Sequence, residues 1–153
     1  MTAALRITNA LIMNAIVLFS GGAYAFCFEE AGREFDVSVP LLKAICFTES
    51  SMRPGAINHD NSNETVDYGL CQINSWWLKK LEPMGITEET LLTDPCENTR
   101  VSAWILSQNF ATSGEGWLAV GAYNAGYKNT PEKEAARQQY IALVKENMER
   151  MAQ

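Results

Sequence analysis

Glu49 is the residue of this sequence best placed to move a proton. It lies near the end of the run Val39-Pro40-Leu41-Leu42-Lys43-Ala44-Ile45-Cys46-Phe47-Thr48-Glu49-Ser50, in which Lys43 is the only other charge. Leu42, Ile45, Cys46 and Glu49 are spaced i, i+3, i+4, i+7, so on a helix they share one face. A carboxyl group on an apolar stripe loses hydration, which favours its neutral form and moves its pKa toward the range a general acid needs. A solvated glutamate at a frayed helix end fits the same spacing. Eighteen residues on stands a second carboxylate, Asp67. Gln72 and Asn74 then alternate with Ile73, and two amides on one side suit the hydroxyl and acetamido groups of a sugar. Trp76 and Trp77 offer flat faces for pyranose rings. One helix cannot easily turn both inward, so at least one is expected to line a cleft; a core tryptophan pair is the alternative. Small residues at 119, 121, 122 and 125 allow close approach, and Tyr123 and Asn124 stand where they could meet sugar or hold Glu49. A packed helix closed by Gly126 fits that stretch equally well.

These residues need a helical frame. A short helix is expected from Cys27 to Phe35, and a second from Pro40, at a first-turn position, to Glu49 or Ser50. Pro54 and Gly55 end it. From Asn58 to Gly69 the chain is polar and turn-rich, which predicts a small β-hairpin or loop with Thr65 and Val66 as strand residues. Asn74 or Ser75 caps a helix to about Lys80. Thr87 caps a short turn, Asp94-Pro95 opens a helix to about Phe110, Trp117 to Tyr123 forms another, and Pro131 opens a last one to about Met151. On that last helix Tyr140, Leu143, Val144, Met148 and Met151 form an apolar stripe interrupted by Asn147, either closing the core or offering an interface. The predicted fold class is mainly α: one helical domain with a small β-hairpin beside a cleft.

The 153 residues hold 12 basic and 18 acidic side chains, a formal net charge of -6. A nucleic-acid partner is excluded, since phosphate binding needs clustered Lys and Arg. The single histidine, His59, reads as a solvated loop residue, and one histidine cannot build a multi-His metal centre. No metal and no cofactor is expected. Arg6, the apolar run Ala10 to Phe19 and the triplet Ala23-Tyr24-Ala25 have the layout of a secretory signal peptide over residues 1–25, cleaved after Ala25. The run is about ten residues, short of the roughly 20 that span a bilayer, so no membrane anchor is expected after cleavage. A lipid anchor on Cys27 is disfavoured by Phe26 before it. Residues 26–153 are then one exported domain, with the periplasm as the expected location. All four cysteines, Cys27, Cys46, Cys71 and Cys96, fall in it, and an even count in an oxidising compartment suggests disulfides. Sequence alone leaves three pairings open.

Glu49-Ser50, Gly69-Leu70-Cys71-Gln72-Ile73-Asn74 and Ala122-Tyr123-Asn124-Ala125-Gly126 resemble, in order, the three motifs of the soluble lytic transglycosylase domain. The likeness runs from about Cys27 to Tyr127 and is strongest to the small exported transglycosylases that accompany type III and type IV secretion systems, the invasion-associated type. It implies a lysozyme-like fold and peptidoglycan glycan strands as substrate. It implies cleavage of the β-1,4 bond between N-acetylmuramic acid and N-acetylglucosamine, and a component of a secretion apparatus as partner. It implies Glu49 as the catalytic acid/base, with Gln72, Asn74, Tyr123 and Asn124 as cleft residues beside Trp76, and Ser50 as a supporting contact. Cys71 departs from the family, which usually has Met there. A bridge from Cys71 to Cys46 would tie the catalytic helix to the sugar-binding segment; Cys27 and Cys96 would form the other, the pairing the likeness suggests.

Asp67 departs too. Thr65-Val66-Asp67-Tyr68-Gly69 resembles the active-site hairpin of animal-type lysozymes, where a second carboxylate stabilises or attacks an oxocarbenium-like centre. A muramidase using Glu49 and Asp67 is therefore the alternative reaction. A non-catalytic sugar-binding module and an assembly protein are the alternative classes.

Overall fold

The computed structural model describes residues 26–114 and 116–153; the signal-peptide reading of residues 1–25 lies outside the described residues. Among the described residues seven α-helices and a small sheet follow one another: α1 Phe28–Phe35, α2 Val39–Ser50, β1 Ile57–Asn58, β2 Asp67–Tyr68, β3 Ile73–Asn74, α3 Leu78–Leu81, α4 Glu88–Thr93, α5 Pro95–Ser113, α6 Trp117–Ala125 and α7 Pro131–Met151. Helix starts follow the predicted chemistry. Asp94 accepts from Glu97 N–H ahead of α5, and Thr130 accepts from Lys133 N–H ahead of α7, each with Pro in the first turn. The helix expected after Asn74 is instead a 3-10 turn, Ser75–Trp77, then α3, then a second such turn, Glu82–Met84. Gly85 stops it at φ 80°.

The sheet has three antiparallel strands in the order β1-β2-β3, one more than a hairpin. Thr65 and Val66 lie outside it, and β2 begins at Asp67. The turn after β2 explains the shift. Gly69 takes φ 78°, and Gln72 N–H donates to its carbonyl at 3.2 Å. That closure pairs Tyr68 with Ile73 and Asp67 with Asn74. Val66 is left flanking Ser75, whose Oγ accepts from its N–H at 3.1 Å.

The core gathers α2, α5, α7 and the β2–β3 turn. Leu42, Ala44, Ile45 and Cys46 of α2 are fully buried, as are Ala103 and Leu106 of α5 and Leu70 and Cys71 of the turn. Two disulfides cross-link this body: Cys27–Cys96, the pairing the resemblance implied, and Cys46–Cys71, which joins α2 to the turn that departs from the family at Cys71. The first ties α1 to the start of α5, where Arg100 also holds Glu34 at 2.7 Å. The α7 stripe closes the core through Tyr140, Ile141 and Val144, whereas Leu143 and Met151 stay exposed. Asn147, the polar interruption, donates to Thr48 Oγ1 of α2 at 2.8 Å. α6 and α7 approach closely at Gly121, where a Cβ would stand 2.9 Å from that of Arg137. Arg137 is itself buried and donates to the carbonyls of Gly126 and Lys128, closing the end of α6.

Gly69 admits no side chain. A Cβ there would fall 2.2 Å from the Leu91 carbonyl oxygen and 2.3 Å from Asn98 Nδ2, on a left-handed backbone. Left-handed strain and overpacking together make Gly69→Ala cost about 2–5 kcal/mol. Urea denaturation is expected to show that loss, and an unchanged midpoint would refute the packing described.

Candidate active site

Glu49 occupies the last turn of α2, one residue before the helix ends. Its Oε1 accepts a 2.6 Å hydrogen bond from the hydroxyl of Tyr140, which comes from α7 and is itself buried. Burial pushes the Glu49 carboxyl up to about 7; the Tyr140 hydrogen bond pulls the other way, and the charge of Asp67 adds to the rise. A carboxyl group poised there gives up a proton and takes one back near neutral pH. Burial, followed by the charge of Glu49, raises both Tyr140 and Tyr123 well above an ordinary phenol, so both keep their protons.

Asp67 is built by strand register. Asn58 and Asn74 are its cross-strand partners on either side. Directly opposite side chains on one face lie about 5 Å apart. Asn58 and Asn61 donate to Asp67 Oδ2 at 3.0 and 2.9 Å, and Asn74 donates to Oδ1 at 2.7 Å. Three amides thus clamp one carboxylate, and three of its roughly four lone-pair sites are filled. The same Asn74 amide donates to Thr65 Oγ1, and its oxygen accepts from Trp76 N–H.

Cys71 joins the two halves. It is bonded to Cys46 of α2; its N–H donates to Asn98 Oδ1 of α5 at 2.9 Å; its carbonyl accepts from the Tyr123 hydroxyl of α6 at 2.9 Å. Tyr123 also meets Ser102 Oγ at 2.9 Å. α2, the hairpin, α5 and α6 are therefore tied to one residue, and the charge of Asp67 on the hairpin is felt by Glu49 on α2.

Residues 26–143 match the family model described as Transglycosylase SLT domain. The chain belongs to the SLT transglycosylase family. The family's members are peptidoglycan lytic transglycosylases, and the chain is an enzyme of that class with a lysozyme-like fold. It is 43% identical over 129 residues to Invasion protein IagB of Salmonella typhimurium, covering 84% of this chain and 79% of that one. Protein IpgF of Shigella flexneri is 40% identical over 116 residues, covering 76% and 74%. A Peptidoglycan-binding-like protein of Escherichia coli O157:H7 is 36% identical over 134 residues, covering 82% and 80%.

Several residues read as sugar contacts have other partners in this SLT domain. Ser50 is 2% exposed, and its hydroxyl donates to the Leu70 carbonyl at 2.5 Å and accepts from Arg53 N–H. It fastens α2 to the hairpin, the supporting contact expected of it. Gln72 sits at φ 51° and donates to the carbonyls of Ala56 and Gly69, bracing the turn. Asn74 orients Asp67. Tyr123, for which two places were expected, holds Cys71 and not Glu49. Trp76 is 61% exposed, whereas Trp77 packs on the core and meets Trp104 edge-on at 5.4 Å. Asn124 is exposed at the end of α6. His59 is exposed, as read from its loop. Among the described residues no helix is long and apolar enough to cross a membrane.

Three members of the SLT site escaped the sequence reading. Tyr140 looked like part of an apolar stripe, and nothing local pairs it with Glu49, 91 residues earlier. Asn58 and Asn61 stood in a polar run whose register only the folded sheet reveals.

Proposed function

We propose that Glu49 is the acid/base of a lytic transglycosylase that opens the N-acetylmuramic acid–β-1,4–N-acetylglucosamine bond and closes a 1,6-anhydro ring. The observation that carries this reading is a carboxyl group with a pKa of about 7, hydrogen-bonded to Tyr140 and facing the field of Asp67. Protonated Glu49 donates its proton to the glycosidic oxygen as the bond from muramyl C1 to that oxygen breaks. The positive charge at C1 is stabilised by Asp67, which its three asparagine partners hold in place. Glu49, now a carboxylate, takes the proton of the muramyl C6 hydroxyl as that oxygen bonds to C1. The acid is regenerated and no water is consumed. Trp76 and Asn124, both exposed, supply contacts for the glycan.

Asp67 also supports a second reading. If water replaced the C6 hydroxyl, the same two carboxylates would make a muramidase. Mass spectrometry of fragments released from purified peptidoglycan separates the two. Products ending in 1,6-anhydromuramic acid, one water lighter than reducing-end products, are expected; reducing-end muramic acid would make the enzyme a hydrolase.

In this reading the chain is exported by residues 1–25, leaves its signal peptide behind and works in the periplasm without a membrane anchor. Its acceptance of disulfides and its peptidoglycan substrate support that location. It locally opens the wall for assembly of a type III or type IV secretion apparatus, a role supported by the name of its relative, Invasion protein IagB.

A further inference from the structure

A groove of about 460 Å³ is walled by Trp76, Trp77, Trp104 and Tyr127 and lined also by Lys80 and Gln108. It starts where the sheet stops, since Trp76 follows Asn74, the holder of Asp67, by two residues. It reaches α6 at Ala122 and Gly126, which bracket Tyr123 and Asn124. Lys80 Nζ stands 5.2 Å from the Trp76 ring centre and 5.1 Å from that of Trp77. Such contacts hold an ammonium group in place without neutralising it. Lys43, Arg100 and Arg137 each meet a carboxylate within ion-pair distance, but Lys80 meets none among the described residues. Gln108 is exposed, and its side-chain amide makes no hydrogen bond among them. A chain of net charge -6 draws no anion by its overall field, so an anionic ligand must be held by local contacts. An uncompensated ammonium on aromatic faces, with a free amide in the same groove, suits a ligand that combines a ring with a carboxylate-bearing arm. Peptidoglycan has that chemistry, because its muramic acid sugars carry short peptides with free carboxylates.

We propose that this groove seats the peptide stem of peptidoglycan, with Lys80 as the residue that recognises its carboxylate. The enzyme thereby prefers peptide-bearing strands to stripped ones. The inference rests on the peptidoglycan reading above and deepens it.

The test reads binding, so it stands apart from whether product is released. The exported chain, residues 26–153, carrying Glu49→Gln is titrated calorimetrically with three ligands: disaccharide-tetrapeptide, the same disaccharide without peptide, and neutral chitobiose. The tetrapeptide form is expected to bind about fivefold more tightly than the peptide-free form, the scale of one exposed charge pair. Adding Lys80→Met removes that difference, Lys80→Arg keeps it, and Lys133→Met, on an exposed residue outside the groove, leaves it intact. Equal affinity for the first two ligands, or a preference that survives Lys80→Met, overturns the proposal. A Lys80-dependent gain between chitobiose and the peptide-free disaccharide, with none added by the peptide, assigns the groove to the lactyl carboxylate and overturns it too. Failure of the transglycosylase reading shows separately, as absence of released fragments from peptidoglycan.

Discussion

Glu49→Gln is expected to lower fragment release from peptidoglycan by about a hundred- to ten-thousandfold while making the protein more stable at alkaline pH. The loss follows from the role proposed for the proton on Glu49, since general acid catalysis contributes about 10²–10⁴ in rate. The wild-type rate should accordingly fall as pH rises through about 7, where Glu49 ionises. The gain in stability comes from the same burial. The folded pKa is raised to about 7 from 4.5, so the native state binds its proton more tightly than the unfolded chain. Stability from this group is therefore complete below about 4.5 and is lost as pH climbs to about 7. The shift corresponds to about 3 kcal/mol. Gln keeps an oxygen to accept from Tyr140 but has no charge to bury. The variant should match wild type in urea denaturation at pH 4.5 and exceed it by up to about 3 kcal/mol at pH 8. A variant that still turns over, or that gains nothing at pH 8, would sink this account of Glu49.

Asn98→Ala is expected to remove about 3–6 kcal/mol from an otherwise intact fold. Asn98 is fully buried in α5, with its amide bonded to the Tyr68 and Leu91 carbonyls and its oxygen to Cys71 N–H, each at 2.9 Å. Truncation strands three buried backbone groups, and at about 1–2 kcal/mol each, the lower part of the usual cost of an unsatisfied group, they give that loss. A chain of this size should lose roughly 10–20 °C in Tm. The loss is focused on the turn that carries Cys71, so fragment release should fail at temperatures where circular dichroism still reports folded helices. Coincident loss of both would mean that Asn98 supports the whole body and not the turn in particular.

What was legible in the sequence was local. Glu49 could be found because helical spacing alone puts it on the Leu42, Ile45, Cys46 face. Pro40, Asp94, Pro131 and Gly126 marked helix ends because caps and breakers act within one turn. The surroundings of Asp67 were not legible, because three strands had to choose a register before Asn58 and Asn74 could flank it. Gln72 and Asn74 were read as facing sugar, yet a turn with two residues at positive φ leaves backbone carbonyls and a carboxylate that need donors, and these amides supply them. Tyr140 was hidden because its partner lies 91 residues away and its neighbours on the helix are apolar.

The hydroxyl that holds Glu49 comes from the last helix of the chain. A ribosome emits the acid, the hairpin and all four cysteines well before it emits Tyr140, because chains are made from the N-terminus onward. A chain interrupted between residues 127 and 139 holds all three motifs of its family and still lacks the hydroxyl that meets Glu49. Synthesis as far as α7 is thus built into the site: a chain that leaves the ribosome before Tyr140 leaves it without the hydroxyl that holds Glu49.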